Sequence, residues 1–279
     1  MGNNQGTETP KRISLASIID SDCSGHTKAV TDFTTYIKEH GYALLDGTDE
    51  VINNVQAYKQ SAQLFFQQSS QIKQKYAQDI RSNDRTRGYN ITDKNKEYIK
   101  CRYNDADGMI PDTGTFRDSF RRAFSSIRSM SWTLFSHLAA TQILLNDGTT
   151  RKLLPDADMV EINKIVDSRS SLGAIHYFAQ QQKDNNEENN DARVASKEHR
   201  DTGLITVGFV ANTPGLEIYD KKQGTFMSIE QLVPPGTIAV WLGEKMPLFS
   251  GSSNFNATPH RVILKRAKER YATVFLLDV

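Results

Sequence analysis

Cysteine is scarce. The 279 residues hold only Cys23 and Cys101, too few for a disulfide framework or a multi-cysteine zinc site, and two free thiols suit a reducing compartment. An excess of one charge is lacking too: 34 Lys and Arg stand against 33 Asp and Glu, so no basic field argues for nucleic acid or an anionic membrane surface. No stretch reaches the ~18 apolar residues of a membrane span. The polar amino terminus carries no apolar leader, and Gly6 stands where a myristoylation signal wants Ser or Thr. The expectation is a soluble, cytoplasmic protein, monomeric or at most homodimeric, with neither nucleic acid nor membrane as partner.

What is present changes in texture along the chain. Residues 1–10 read as a disordered tip and Ile13 to Ile19 as a short strand. Val30, Phe33 and Ile37 then mark one face of a helix from Lys28 to Glu39 that stops at Gly41, Tyr42 to Leu45 reads as a buried strand, and Val51 to Tyr76 as one long helix. Arg81 to Pro111 reads as loops and brief strands. Helical spacing returns from Thr115 to Leu145 through Phe116, Phe120, Phe124, Ile127, Met130, Leu134 and Leu138, a stripe that belongs to core packing rather than to a cofactor. Ile175 to Phe178 reads as a strand. Gln180 to Asp191 is almost wholly polar and cannot offset its own ordering by apolar burial, so a mobile loop is expected.

Beyond it come short β-like runs: Leu204 to Val210, Leu216 to Tyr219, Phe226 to Ile229, Thr237 to Leu242, Arg261 to Lys265 and Tyr271 to Leu277. This density predicts a mainly β chain with supporting helices around a double-stranded β-helix, or jelly roll. Residues 11–279 read as a single unit: an α/β region over 11–112, support helices over 113–170, and the main jelly-roll portion over 171–279.

His199 and Asp201 stand two apart at the expected entrance to a strand, where a period of two sets both on one face and turns Arg200 away. His260 opens another strand and offers a third donor; two His and one carboxylate form the facial set associated with non-haem Fe(II). A His two positions before an Asp is also a common surface pair, and zinc hydrolase chemistry draws on the same ligand types. Arg270 follows ten residues after His260. A tight turn through Lys268 would fold Tyr271 to Phe275 back beside Val262 to Lys265, with Arg270 and Ala272 on the face shared by His260, Val262 and Leu264. A guanidinium there offers parallel donors to a carboxylate; the alternative is one more surface charge in a basic cluster.

In order along the chain, His199-Arg200-Asp201-Thr202-Gly203-Leu204-Ile205-Thr206, Gly215-Leu216-Glu217-Ile218, Val233-Pro234-Pro235-Gly236 and His260-Arg261-Val262 resemble the oxygenase domain of the isopenicillin N synthase-like Fe(II)/2-oxoglutarate dioxygenases. Gly41-Tyr42-Ala43-Leu44, Leu64-Phe65-Phe66, Lys75-Tyr76 and Arg87-Gly88-Tyr89 are similar to the amino-terminal region of that family, so the resemblance covers nearly all of residues 11–279. It implies that His199, Asp201 and His260 are the iron ligands through which catalysis runs. It further implies that Arg270 holds the distal carboxylate of 2-oxoglutarate and that Tyr177 gives a hydroxyl to that carboxylate or to substrate. The implied reaction couples oxidative decarboxylation, with dioxygen, to hydroxylation or a related oxidation of a small organic molecule.

Three departures qualify the resemblance. Gly173 follows Leu172 where the family commonly has Arg, Ala272 stands where it has Ser, and Asp46-Gly47-Thr48 replaces an Asn-His-Gly turn. The 2-oxoglutarate pocket is therefore expected to be weaker, altered, or open to another carboxylate. A related iron oxidase that does not use 2-oxoglutarate, and a non-catalytic small-molecule-binding protein of the same fold, are the alternatives. Cavity walls are expected from Asn83 to Asp112, Ala179 to Glu198 and Phe249 to Pro259, with Phe249 and Phe255 either lining the pocket or packing their own loop.

Overall fold

A computed structural model describes residues 10–77, 87–92, 95–105, 109–144, 148–180, 192–250 and 253–279. Strand β1 (Arg12–Ser14) leads into α1 (Leu15–Ile19), α2 (His26–His40), β2 (Tyr42–Asp46), α3 (Asp49–Phe66) and α4 (Ser70–Gln74). Then come β3 (Gly88–Thr92), β4 (Lys96–Cys101), α5 (Phe116–Ala139), β5 (Gln142–Leu144), β6 (Thr150–Lys152) and α6 (Asp156–Arg169). The remainder holds β7 (Ser171–Tyr177), β8 (Ala192–His199), β9 (Ile205–Phe209), β10 (Leu216–Asp220), β11 (Thr225–Ser228), α7 (Ile229–Leu232), β12 (Thr237–Leu242), α8 (Lys245–Ser250), β13 (His260–Lys265) and β14 (Arg270–Leu277).

Hydroxyl caps explain where α1, α3 and α4 begin and correct two expectations, and the end of α5 corrects a third. Ser14, Thr48 and Ser69 each accept a hydrogen bond from the backbone three residues on, at Ser17, Val51 and Ile72, which satisfies a donor that a helix start otherwise leaves open. The expected strand from Ile13 to Ile19 is thus cut short at Ser14, and α1 follows it. The single helix from Val51 to Tyr76 is really two, since α3 ends at Phe66 and Ser69 starts α4. The helix from Thr115 to Leu145 ends at Ala139, and Gln142–Leu144 pairs instead with Thr150–Lys152. Helix α2 does stop at Gly41, whose φ is +86°.

Two sheets form the walls of the double-stranded β-helix. The larger runs in the order β1-β2-β12-β9-β14-β7-β4-β3, and the smaller in the order β11-β10-β13-β8. Alternation sorts the side chains of the larger sheet. On β14, Phe275 and Leu277 join the helix-side core, and Phe124 of α5 meets Phe275 edge-on with ring centres 5.2 Å apart. The intervening Arg270, Ala272, Val274 and Leu276 line the interior. On β7, Leu172 and Ala174 pack toward the helices, while Gly173, Ile175 and Tyr177 face the interior. Because both faces are covered, these strands read in sequence as nearly continuous apolar runs.

Helix α5 supplies much of the backing: Phe116, Phe120, Ile127, Leu134, Phe135 and Leu138 are all fully buried, each contributing roughly 1.5–3 kcal/mol. Part of the space between the sheets is filled by Tyr42, Leu44, Val210, Ile218 and Met227. The rest is a cavity of about 270 Å³. No described helix is long and apolar enough to cross a membrane. Of the segment expected to be a mobile loop, all but Gln180 lies outside the described residues.

Candidate metal centre and its cavity

His199 is the last residue of β8 rather than the first of a strand, and Asp201 lies in the connection before β9. Their meeting is therefore made by a loop and not by strand periodicity. His260 opens β13 and stands opposite His199 across the β13–β8 pair, with the two ring centres 4.2 Å apart. One donor atom from each of His199, Asp201 and His260 lies within 4.8 Å of the others. Nε2 of His260 is 3.5 Å from Asp201 Oδ2, and Nε2 of His199 is 3.9 Å from Asp201 Oδ1.

The surroundings prepare each group for a cation. His199 Nδ1 is 2.8 Å from the Lys197 carbonyl and His260 Nδ1 is 3.3 Å from the Thr258 carbonyl. A carbonyl only accepts, so the proton sits on Nδ1 and the Nε2 lone pair is left for a metal. Burial holds His260 below the ordinary imidazole pKa, against the pull of Asp201 and with help from His199, which favours the neutral ligand form. Asp201 is held by Thr206, whose hydroxyl donates to Oδ2 at 2.7 Å, and by Trp241, whose Nε1–H donates to the same oxygen at 3.0 Å. Two lone-pair imidazoles and a fixed carboxylate fit a divalent metal.

Two glycines make this geometry possible. Thr206 and Trp241 are paired in register on β9 and β12, and a Cβ on Gly208 would lie 2.8 Å from the Trp241 ring, so the bare backbone is what admits the indole. A Cβ on Gly243 would lie 2.1 Å from the Gly203 carbonyl oxygen. That close approach lets Glu244 N–H donate to the Asp201 carbonyl at 2.7 Å and Lys245 N–H to the Gly203 carbonyl at 3.1 Å, anchoring the loop that carries Asp201.

Arg270 does reach the same cavity, but not through a hairpin. Strand β13 is flanked by β8 and β10, and β14 by β7 and β9, so each has both edges occupied and the two strands belong to opposite walls. The shared inner face survives: Ala272 clusters with Tyr177, Val262 and Leu264 across the gap. Tyr177 stands opposite Arg270 in the β14–β7 register, and the guanidinium carbon lies 5.6 Å from its ring centre.

Sequence reasoning missed the partner of Arg270. Its Nη2 donates to Glu230 Oε1 at 2.5 Å, and the Glu230 side chain is wholly buried. The Glu230 carboxylate also accepts from the backbone N–H groups of Ala211 at 3.1 Å, Gly215 at 2.6 Å and Leu216 at 2.8 Å. Glu230 belongs to the four-residue α7, too short for any periodic signal, and only its place just before Val233-Pro234-Pro235-Gly236 hints at a turn. The Nε of Arg270 is buried without a partner. Of the expected walls, the first supplies Lys96, Tyr98 and Lys100 and the second Ser196. No described residue of Phe249 to Pro259 lines the cavity; Phe255 is fully buried in the helix-side core. At Gly173, the stem of Lys100 passes 3.6 Å from where a Cβ would sit.

Residues 171–278 match the 2OG-Fe(II) oxygenase superfamily. This part of the chain is a 2OG-Fe(II) oxygenase domain. The match agrees with the isopenicillin N synthase-like resemblance, and it gives this domain its class, Fe(II)- and 2-oxoglutarate-dependent oxygenation. Among curated proteins none matches the oxygenase by sequence. Among solved structures it is similar to C-terminally truncated T7H of Neurospora crassa, with 17% identity and a TM-score of 0.74 over 99% of this chain and 97% of that one. It is also similar to an oxygenase of Shewanella oneidensis, with 20% identity and a TM-score of 0.67 over 96% and 90% of the two chains. A dioxygenase for auxin oxidation from Arabidopsis thaliana, solved with 2-oxoglutarate, gives 17% identity and a TM-score of 0.68 over 96% and 92%. At these identities the likeness speaks for a common fold.

Proposed function

We propose that His199, Asp201 and His260 hold Fe(II), that Arg270 and Tyr177 receive the distal carboxylate of 2-oxoglutarate, and that the substrate is a small organic molecule admitted to the cavity. The observation that carries this reading is the convergence of two imidazole lone pairs and a carboxylate within 4.8 Å at a cavity of about 270 Å³. When bound, the iron and 2-oxoglutarate supply the dioxygen chemistry, and the protein supplies position and electrostatics. Thr206 and Trp241 orient the Asp201 carboxylate, and the Lys197 and Thr258 carbonyls fix the imidazole tautomers. Ile175, Val262 and Ala272 keep water from the Arg270 end, which strengthens a charge pair made there. Residues 11–279 act as one unit, with 11–112 and 113–170 backing the jelly roll of 171–279. Every group assigned to the site comes from one chain, so a monomer suffices, and the free Cys23 and Cys101 suit the cytoplasm.

Anaerobic calorimetry with an inert divalent metal tests the pocket, and succinate formation with Fe(II) tests turnover. One equivalent of 2-oxoglutarate, bound only with metal present, is the expected result; no binding by the wild type would sink this reading. The pairing of Glu230 with Arg270, together with the apolar Ala272, favours as second reading an iron oxidase independent of 2-oxoglutarate. Substrate-driven oxygen consumption unchanged by omitting 2-oxoglutarate would establish it.

A further inference from the structure

The inward row of the larger sheet that holds Tyr177 and Arg270 belongs to the proposed 2-oxoglutarate site; a second inward row does not. Lys100 on β4 pairs with Gly173 on β7, Gly173 with Val274 on β14, and Val274 with Gly208 on β9. All four line the cavity, and two of them carry no side chain, so the row is a hollow. Its ends differ. At the β9 end the Trp241 ring lies over Gly208, 2.8 Å from where a Cβ would sit, and Trp241 Nε1 donates to Asp201 Oδ2 at 3.0 Å. This is the end beside the metal centre. At the β4 end the Lys100 stem lies over Gly173, 3.6 Å from the corresponding point. Three strand spacings, about 14 Å, separate the two ends.

Charge sets what the hollow can take. On β4 the helix-facing Glu97, Ile99 and Cys101 are buried, whereas the cavity-facing Lys96, Tyr98 and Lys100 are half-buried, so this strand borders the open side. Tyr98, Ile175 and Ala272 are in register and part the hollow from the Arg270 row with a largely apolar strip. Among the described residues lining the cavity, Lys96, Lys100 and Arg270 are cationic and Asp201 alone is acidic, and Asp201 faces the metal centre. An ammonium at the far end of a trough that begins at the metal can hold a substrate by a negative group and leave its carbon at the metal. We propose that this row is the substrate subsite and that Lys100 binds the carboxylate of a small organic acid, with the carbon to be oxidised at the Trp241 end. The inference rests on the 2-oxoglutarate reading, which assigns the other row to the co-substrate, and adds to it the class of the substrate.

The test uses the straight-chain acids from butanoate to octanoate and their primary amides, which share a chain and differ in charge at one end. Full-length protein is loaded with Mn(II) and saturating 2-oxoglutarate without oxygen, and paramagnetic broadening of each probe's protons reads both affinity and nearness to the metal. In wild type at least one acid is expected to bind about tenfold tighter than its amide, with its methyl protons broadened more than those beside the carboxylate. Lys100→Met should bring that acid to within about twofold of the amide and leave 2-oxoglutarate affinity within about twofold of wild type. Lys100→Arg should keep the preference, as should Lys96→Met, which removes a charge from the other row. In wild type the bound acid should also shift the Lys100 side-chain resonances, a readout that stands even where a variant does not fold. No preference for acid at any chain length, a preference that survives in folded Lys100→Met, broadening strongest beside the carboxylate, or unmoved Lys100 resonances each overturn the subsite and leave the parent reading standing. A wild type that binds no 2-oxoglutarate in the presence of metal overturns both.

Discussion

At one level of the larger sheet, β4, β7 and β14 carry two polar rows that face opposite ways. Lys96, Tyr177 and Arg270 are in register and face the cavity; their chain neighbours Glu97, His176 and Tyr271 are also in register and face the helices. The outer row is nearly complete in itself. Glu97, 2% exposed, accepts from Lys73 Nζ at 2.7 Å, the Tyr89 hydroxyl at 2.6 Å and His176 Nδ1 at 2.9 Å. His176 stacks on Tyr271 with ring centres 4.3 Å apart, and its unpaired Nε2 looks toward Glu269 at 3.7 Å. The inner row keeps donors in reserve, as the unpaired Nε of Arg270 shows. A polar network closed on itself specifies structure, and one left with spare donors specifies a ligand.

The comparison is broken most directly at the metal. His199→Ala, Asp201→Ala and His260→Ala should each weaken Fe(II) binding by more than about 100-fold, beyond what groups one step removed from a metal contribute, with the circular dichroism of the wild type. Unchanged one-to-one affinity in all three folded variants would dismiss the assignment. On the outer row the effect should move from binding to stability. Glu97→Ala strands buried partners and should cost about 3–5 kcal/mol, read as a lower urea midpoint with an unchanged slope, while folded protein still takes up metal. If Glu97→Ala is as stable as wild type, the outer row is not structural.

Arg270→Ala should weaken 2-oxoglutarate by roughly 2–5 kcal/mol and spare the metal. Since it also leaves Glu230 without its cation, the Arg270→Ala, Glu230→Gln double variant separates lost binding from lost stability. Equal 2-oxoglutarate affinity in wild type and both variants would move the clamp elsewhere. The smallest effect is expected at Thr206→Val, which removes one of two donors to Asp201 Oδ2 and should weaken metal binding about tenfold. An unchanged metal titration would mean that Trp241 alone orients the carboxylate.

The apolar strands were legible because each is a local pattern, a short buried run between turns; the grouping of His199, Asp201 and His260 within 4.8 Å was legible through the family resemblance, since His260 lies far along the chain from the other two. Strand β8 was not, because it lies at the edge of the smaller sheet, where Arg193, Lys197 and Glu198 are tolerated and no apolar run advertises it. The route by which Arg270 reaches the cavity was misread for a related reason. Parity along β14 is written in the sequence, but which sheet a strand joins depends on neighbours far away in the chain. Glu230 was invisible for the plainest reason, since a buried ion pair looks in sequence like any surface Glu and Arg.

The assignment of β13 and β14 to facing walls has a mechanical consequence. His199 and His260 are mounted on the smaller sheet, Arg270 and Tyr177 on the larger, so a dicarboxylate held in the proposed way would be a tie-bar between the two sheets. Amides of β8, which has a neighbour on one side only, should exchange faster than those of β7 and β14 in the empty protein. They should slow most when metal and 2-oxoglutarate are added together, and a dicarboxylate too short to span the gap should slow them less.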